Sequence, residues 1–392
     1  MSGSSLKYGS RRDLTVDCLK GIAALIVFLL HGRSYVPTID QISGCLAWIS
    51  YFPAWGGVWI FLILSGYGIG LGFFTGKYSL QDSSRHEKLK QIIKFYIGRL
   101  IKIAPLYYLY CFLFEIFSNQ SFFWHNPKIL FRMFTFTFNG NGGVSGLGHL
   151  WYISMAMQLY LFMPFIYFAL EFLCKTKKVS AIIYIVILIS GMVLRLGLYK
   201  VGCDWQAGIY TNCLVNLDLV ILGMLTAKVK VTGYLSGQES IQRKMSILGA
   251  VLFIILVLYN CYIYHDGMDR DFVIYRYILS SVYMCVCTLL LLSSGNRIHK
   301  YRRTSIQKAE MIINIAICKF SSYSFAFYIF HISIFEYLNR TLVSMEWFCN
   351  YSPDKQYFIF FAAAFLILLI PSIIFTCWSG RAASFLRSIQ TH

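Results

Sequence analysis

Charge is scarce in this 392-residue chain. Asp, Glu, Lys and Arg together make up 13% of it, against the ~25% usual in soluble proteins. So few charges cannot cover the outside of a water-soluble globule, so much of the surface has to face lipid. The same composition excludes a disordered chain, a collagen-like repeat and a small secreted disulfide scaffold. Paired Cys-x-x-Cys spacing is also missing among the 12 cysteines, as are a zinc motif, a P-loop and a dinucleotide-binding fingerprint. Most cysteines fall inside apolar runs and read as small buried hydrophobes. Cys45, Cys203 and Cys349 fall in segments assigned to the outer side, where a disulfide is permitted but not indicated.

What is abundant is apolar: 57% of the chain is hydrophobic, and aromatic residues alone make up 18% of the chain. A window of about 20 apolar residues per span gives ten segments, centred near Leu25, Ile60, Tyr108, Leu161, Ile187, Leu219, Ile254, Cys285, Ile329 and Leu366. The predicted fold is therefore an all-α polytopic bundle of about ten transmembrane helices, one membrane domain over residues 1–392. A net charge of +18 would suggest nucleic acid in a soluble protein. Here the basic residues sort by side instead. With the N-terminus inside, 26 of the 35 Lys and Arg fall on the inner side, as cytoplasmic loops require. Residues 1–14 and the tail 379–392 are then both cytoplasmic. Ser10-Arg11-Arg12-Asp13-Leu14 faintly resembles a twin-arginine export signal, but no cleavage site follows, and the first apolar run is expected to stay as a span. In the second span, Ser65-Gly66-Tyr67-Gly68-Ile69-Gly70 is expected to loosen the helix.

Ionisable residues within spans are costly and are functional candidates by default. Lys20 and His31 stand eleven residues apart in the first span, on one helical face and about 16 Å apart along the axis. Spacing alone fits a snorkelling lysine and a packed histidine as well as it fits a reaction site.

The surrounding residues carry more. Asp17…Lys20-Gly21-Ile22-Ala23-Ala24…His31 closely resembles the opening helix of the acyltransferase 3 family, integral-membrane enzymes that O-acylate surface glycans and related acceptors. Four further elements resemble that family in order. They are Trp59-Ile60-Phe61-Leu62-Ile63-Leu64-Ser65-Gly66-Tyr67, Tyr96-Ile97-Gly98-Arg99-Leu100-Ile101-Lys102-Ile103-Ala104-Pro105, Gly148-His149-Leu150-Trp151-Tyr152 with Tyr160 and Pro164, and the stretch from Ser321 to His331. Departures exist: Lys20 and Lys102 stand where relatives commonly carry Arg, which keeps the charge but loses the planar fork. Met155-Ala156-Met157-Gln158 replaces a region where many relatives have a Glu, so no acid from there can orient His31. The chain also ends soon after Ser379, without the extracytoplasmic hydrolase-like domain fused to some relatives.

The resemblance implies an O-acyltransferase that moves acetyl from cytosolic acetyl-CoA to a hydroxyl of a surface or exported polysaccharide or its lipid-linked precursor. The expected home is the bacterial cytoplasmic membrane. His31 is the expected catalytic base, with a transient acyl-histidine left open. Lys20, Arg99 and Lys102 are expected to hold the charged end of coenzyme A from the inner side. His149 and Trp151 are candidates for the acceptor sugar, although anchoring the fourth span explains them as well. His331 reads as a packed histidine bonded to a neighbouring helix, and Phe122, Phe123 and Trp124 as either a sugar platform or an interfacial belt. No metal is expected, and the oligomeric state is open. The rival from another class is a glycan exporter without acyl transfer. Acetyl and succinyl are not distinguished by the residues.

Overall fold

Hydrocarbon offers no water to backbone N–H and C=O groups, so a chain this apolar must pair them within its own segments. The computed structural model bears this out. It describes residues 13–50, 54–78, 80, 84–117, 122–140, 146–265, 270–294 and 305–389, and among these there is helix but no strand. Ten long helices carry the bundle: α1 Leu14–Arg33, α2 Ala54–Phe74, α3 Arg85–Phe117, α4 Trp151–Leu173, α5 Lys177–Lys200, α6 Leu217–Val231, α7 Glu239–His265, α8 Arg270–Ser293, α9 Ser305–Val343 and α10 Pro353–Ile389. Each of the ten expected centres falls inside one of them. Eight helical segments are long and apolar enough to cross a membrane by length and composition. The shortest long helix, α6, has 15 residues, about 22 Å at 1.5 Å each. Most of it is enclosed by the bundle: Leu219, Val220, Leu222, Met224, Leu225 and Ala227 are all fully buried. The tail expected after residue 379 continues as the last turns of α10.

Local signals set the ends. Asp13 caps α1 by accepting from the Thr15 N–H at 3.0 Å, and Thr176 caps α5 by accepting from Val179 N–H at 3.3 Å. Polar contacts tie the helices at both ends of the bundle, named inner and outer after the sorting of basic residues. At the inner end, the Lys230 ammonium donates to the Leu291 carbonyl and the Ser294 hydroxyl, each at 2.8 Å, and Ser294 also bonds Asp13 Oδ2 at 2.8 Å. Lys228 pairs with Glu171 at 3.1 Å and donates to the Leu170 carbonyl at 2.7 Å. At the outer end, Ser43 N–H donates to Asp354 at 3.2 Å and Thr38 to Gln356 at 3.0 Å. The Ser10–Arg12 motif, the glycines of the 141–145 loop and the basic segment around Arg302 lie outside the described residues.

The glycines at 66–70 do not loosen α2, which is continuous α-helix through them. Their lack of side chains is spent on contact instead. A Cβ on Gly66 would land on the Val220 carbonyl of α6, one on Gly223 would land on the Ile63 carbonyl of α2, and one on Gly70 would lie 2.9 Å from Ala227 Cβ. Gly66-x-x-x-Gly70 against Gly223-x-x-x-Ala227 is the small-residue arrangement that lets membrane helices touch backbone to backbone.

A second tie holds α6. Asp218, in its first turn, receives both guanidinium nitrogens of Arg195 on α5, at 3.0 and 2.5 Å. Arg195 is 1% exposed, so truncating it strands a buried carboxylate. Arg195→Ala should destabilise the protein by about 3–5 kcal/mol, read as a lowered unfolding midpoint in detergent. Replacing both partners with apolar residues (Arg195→Met with Asp218→Leu) should restore most of the loss. A single variant as stable as the wild type would show that the pair is not a stabilising tie.

Candidate active site

α1 lies against α2 on one side and α9 on the other. Its contact with α9 is aromatic: Phe28 meets Phe327 at 5.1 Å and Phe335 at 5.0 Å between ring centres. Phe28 is about one turn before His31, and Phe327 and Phe335 lie one turn to either side of His331. This stacking sets the register of the two helices. Gly32 lets them close: a Cβ there would come within 2.8 Å of Phe335 and 2.5 Å of Phe361.

The register brings the two histidines together. His31 Nδ1 lies 2.7 Å from His331 Nε2, with the ring planes within 7° of parallel. The other nitrogen of His331, Nδ1, bonds the Tyr328 backbone carbonyl. A carbonyl only accepts, so the proton of neutral His331 is on Nδ1 and its Nε2 carries a lone pair. Nδ1–H of His31 therefore donates to His331, and the outer nitrogen of His31, Nε2, keeps its lone pair. His331 is 1% exposed, whereas His31 is only half-buried. The tautomers thus leave one basic nitrogen at the more open end of a two-ring chain. The histidine expected to bond a neighbouring helix does so, and its partner is His31.

His149 completes the cluster from α4. It sits in the single 3-10 turn Gly148–Leu150 that leads into α4, 6% exposed, its ring edge-on to His331 at 5.0 Å. Its Nε2–H donates to the Ile329 carbonyl at 2.8 Å, and its own carbonyl accepts from the Tyr328 hydroxyl. Two bonds thus staple the start of α4 to the turn of α9 that carries His331. Nδ1 of His149 is buried without a hydrogen-bond partner. Among the described residues, no group of three or more His, Cys, Asp or Glu is placed to hold a metal. Trp151 is buried against Tyr210 at 4.8 Å, and Trp124, in contrast, is 86% exposed on the outer side.

Tyr110 of α3 closes the fourth wall, and the sequence reading missed it. Its hydroxyl donates to the Gly146 carbonyl at 2.6 Å, lies 2.7 Å from Ser333 Oγ, and its ring stands edge-on to His149 at 5.7 Å. Gly146 adopts φ +82°, and a Cβ there would meet Phe114 at 2.7 Å. No sequence signal separates Tyr110 from the rest of the chain's 28 tyrosines.

The cations expected at the inner end are all on the helices that reach this cluster. Lys20 is half-buried on α1, and Lys102 is exposed on α3. The guanidinium of Arg99 lies over Phe95 and Tyr160, at 5.5 and 6.0 Å, and its buried Nε has no hydrogen-bond partner. Lys20 precedes His31 by eleven residues, and Arg99 precedes Tyr110 by eleven, so each cation lies about 16 Å inward of a residue of the cluster. Asp17, one turn before Lys20, is held by the Ser321 hydroxyl at 2.7 Å.

A bundle of membrane-crossing helices around a basic imidazole, with cations toward the inner face, defines an integral-membrane protein with the parts of a group-transfer site. A family model described as an acyltransferase domain, that of the acyltransferase 3 family, matches residues 13–377. The chain belongs to that family and is a membrane acyltransferase. No curated protein and no solved structure gives a match.

The close fit at Gly32 is testable. Gly32→Ala should destabilise the protein by about 1–3 kcal/mol through overpacking, measured by denaturant unfolding in detergent. An unchanged midpoint would mean that α1 has room to spare beside α9 and α10.

Proposed function

We propose that the protein is an O-acetyltransferase of the bacterial cytoplasmic membrane. In this reading it moves acetyl from cytosolic acetyl-CoA to a hydroxyl of a surface or exported polysaccharide, or of its lipid-linked precursor. The observation that carries the reading is the spacing of charge and base: Lys20 on α1 with a basic imidazole nitrogen, His31, about 16 Å further along the same helix, and Arg99 and Lys102 on α3, the helix that brings Tyr110 to the same cluster. Coenzyme A has that form, a charged nucleotide end joined by a long flexible arm to a thioester.

Arg99, with a buried Nε lacking a partner, together with Lys20 and Lys102, holds the phosphates through charge-assisted hydrogen bonds. The arm then runs outward along α1 and brings the thioester to His31. The acceptor hydroxyl reaches the same point from the outer side. His31 Nε2 takes the hydroxyl proton as the oxygen attacks the thioester carbonyl. The carbon–sulfur bond breaks, and the proton passes to the leaving sulfur, returning His31 to its starting state. His149 and Trp151 shape the outer side of the site. His149 is anchored by α9, and its buried Nδ1 is an acceptor suited to a hydroxyl of the acceptor.

Two measurements test this. His31→Ala should lower acetyl transfer by about 10²–10⁴-fold with normal protein in the membrane and nearly unchanged acetyl-CoA affinity. Near-normal turnover would remove His31 from the chemistry. Arg99→Ala or Lys102→Ala should weaken acetyl-CoA binding by roughly one to two decades, the equivalent of about 1.5–3 kcal/mol for a lost charge-assisted bond. Lys102→Arg should be tolerated, since it restores the fork-shaped donor. Unaltered affinity in both alanine variants refutes the donor site. If the intact protein binds no acetyl-CoA, the exporter reading takes its place.

A further inference from the structure

Hydrolases and transferases that use an imidazole base commonly orient it with a carboxylate. Here the partner on His31 Nδ1 is a second imidazole, and this changes what the bond can do. A model aspartate has a proton affinity near pKa 3.9, about 2.6 units below a model imidazole at about 6.5. The carboxylate therefore accepts a hydrogen bond from the imidazolium and leaves the proton where it is. Two like rings have no such built-in bias. At 2.7 Å, with the donor proton on His31 and the lone pair on His331, the proton has a short path to a second nitrogen base.

From this geometry we infer that His331 takes the Nδ1 proton of His31 during acyl transfer, so that the two rings act as one relay. The inference rests on the acetyltransferase reading and extends it. As the acceptor oxygen forms its bond to the acyl carbon, its proton goes to His31 Nε2. The proton on His31 Nδ1 moves to His331 Nε2 in the same direction. His31 ends neutral, with its proton on the other nitrogen, and His331 becomes the imidazolium. When the carbon–sulfur bond breaks, both shifts reverse: His331 returns its proton to His31 Nδ1, and Nε2 of His31 protonates the leaving sulfur. Nothing is oxidised or reduced, and no proton leaves the site.

Charging a buried ring is costly, and the contacts of His331 offset part of that cost. Its Nδ1–H already donates to the Tyr328 carbonyl. The rings of Tyr328 and Phe335 stand at 5.4 and 5.8 Å, within the ~6 Å range of cation–π attraction. Tyr328 in turn is fixed by its bond to the His149 carbonyl, so the staple between α4 and α9 also holds the far end of the relay. His331 touches neither donor nor acceptor in this scheme and is a positioning residue that also stores a proton.

The relay puts two protons in flight in one step, and single-turnover kinetics in mixtures of H₂O and D₂O read that number directly. With the wild-type protein preloaded with acetyl-CoA, the rate should fall as a curved, two-proton function of deuterium content. His331→Gln supplies an oxygen that accepts from His31 Nδ1–H but takes no proton. It should bind acetyl-CoA as the wild type does, transfer at least about tenfold more slowly, and give a straight, one-proton plot. A straight plot in the wild type overturns the relay while leaving His31 as a base, whether or not the glutamine variant folds. A glutamine variant with wild-type rate overturns it equally. A wild-type protein that binds acetyl-CoA but transfers nothing to any hydroxyl acceptor takes down the transferase reading and the relay together.

Discussion

The bond between His31 and His331 joins residues three hundred positions apart in sequence, and it asks a great deal of the rest of the bundle. A hydrogen bond of 2.7 Å tolerates little axial slip, whereas a single helical residue advances about 1.5 Å. α1 and α9 must therefore be held in one register. Phe28, wedged between Phe327 and Phe335, supplies it, and Gly32 allows the approach. The 3-10 turn of His149 then fixes the rotation of α9 through the Tyr328 and Ile329 bonds. In lipid, where burial of apolar surface gives no advantage over contact with acyl chains, such packing and polar ties decide how helices meet.

A second layer supports the first. α2 lies behind α1, and α6 lies behind α2 with glycine against backbone. The aromatic content, high even for a membrane protein, is concentrated where the helices must not slide. One group, Phe73, Tyr78, Phe95 and Tyr167, ties α2, α3 and α4 together at the inner end. Another, Trp151, Tyr210, Trp205 and Trp55, ties α2 and α4 to the Trp205–Tyr210 turn before α6 at the outer end. Between them the polar residues of the site occupy a narrow layer, facing inward from four helices.

The fold was legible in the sequence because lipid imposes a simple rule: each apolar run long enough to cross must be a helix. Even the short α6 showed itself through Leu219. Ser65–Gly70 misled because glycine loosens helices in water, where exposed backbone finds another partner; inside a bundle it does not. His31, His149 and His331 stood out as imidazoles within apolar runs. Their meeting point was not visible, because it depends on the stacking of Phe28 and on the shape of Gly32, and both look like ordinary apolar positions along the chain. Tyr110 was hidden for the opposite reason, one tyrosine among many, distinguished only by what folds against it.

The Arg195–Asp218 pair bears on how the chain enters the membrane. At the centre of a span an arginine or an aspartate resists insertion by about 2.5–3.5 kcal/mol, and Arg195 and Asp218, nearer the ends of their helices, carry a smaller share of that cost. α5 carries the one and α6 the other, and α6 is too short to settle alone. During synthesis, α5 emerges first and holds its charge without a partner until α6 follows, a short loop later. The favourable course is for the two to leave the insertion machinery side by side, as a hairpin with its charges already joined, and only then to find α2. The middle of this protein is therefore assembled before its walls are complete, and the short helix enclosed by the finished bundle reaches the bilayer under escort.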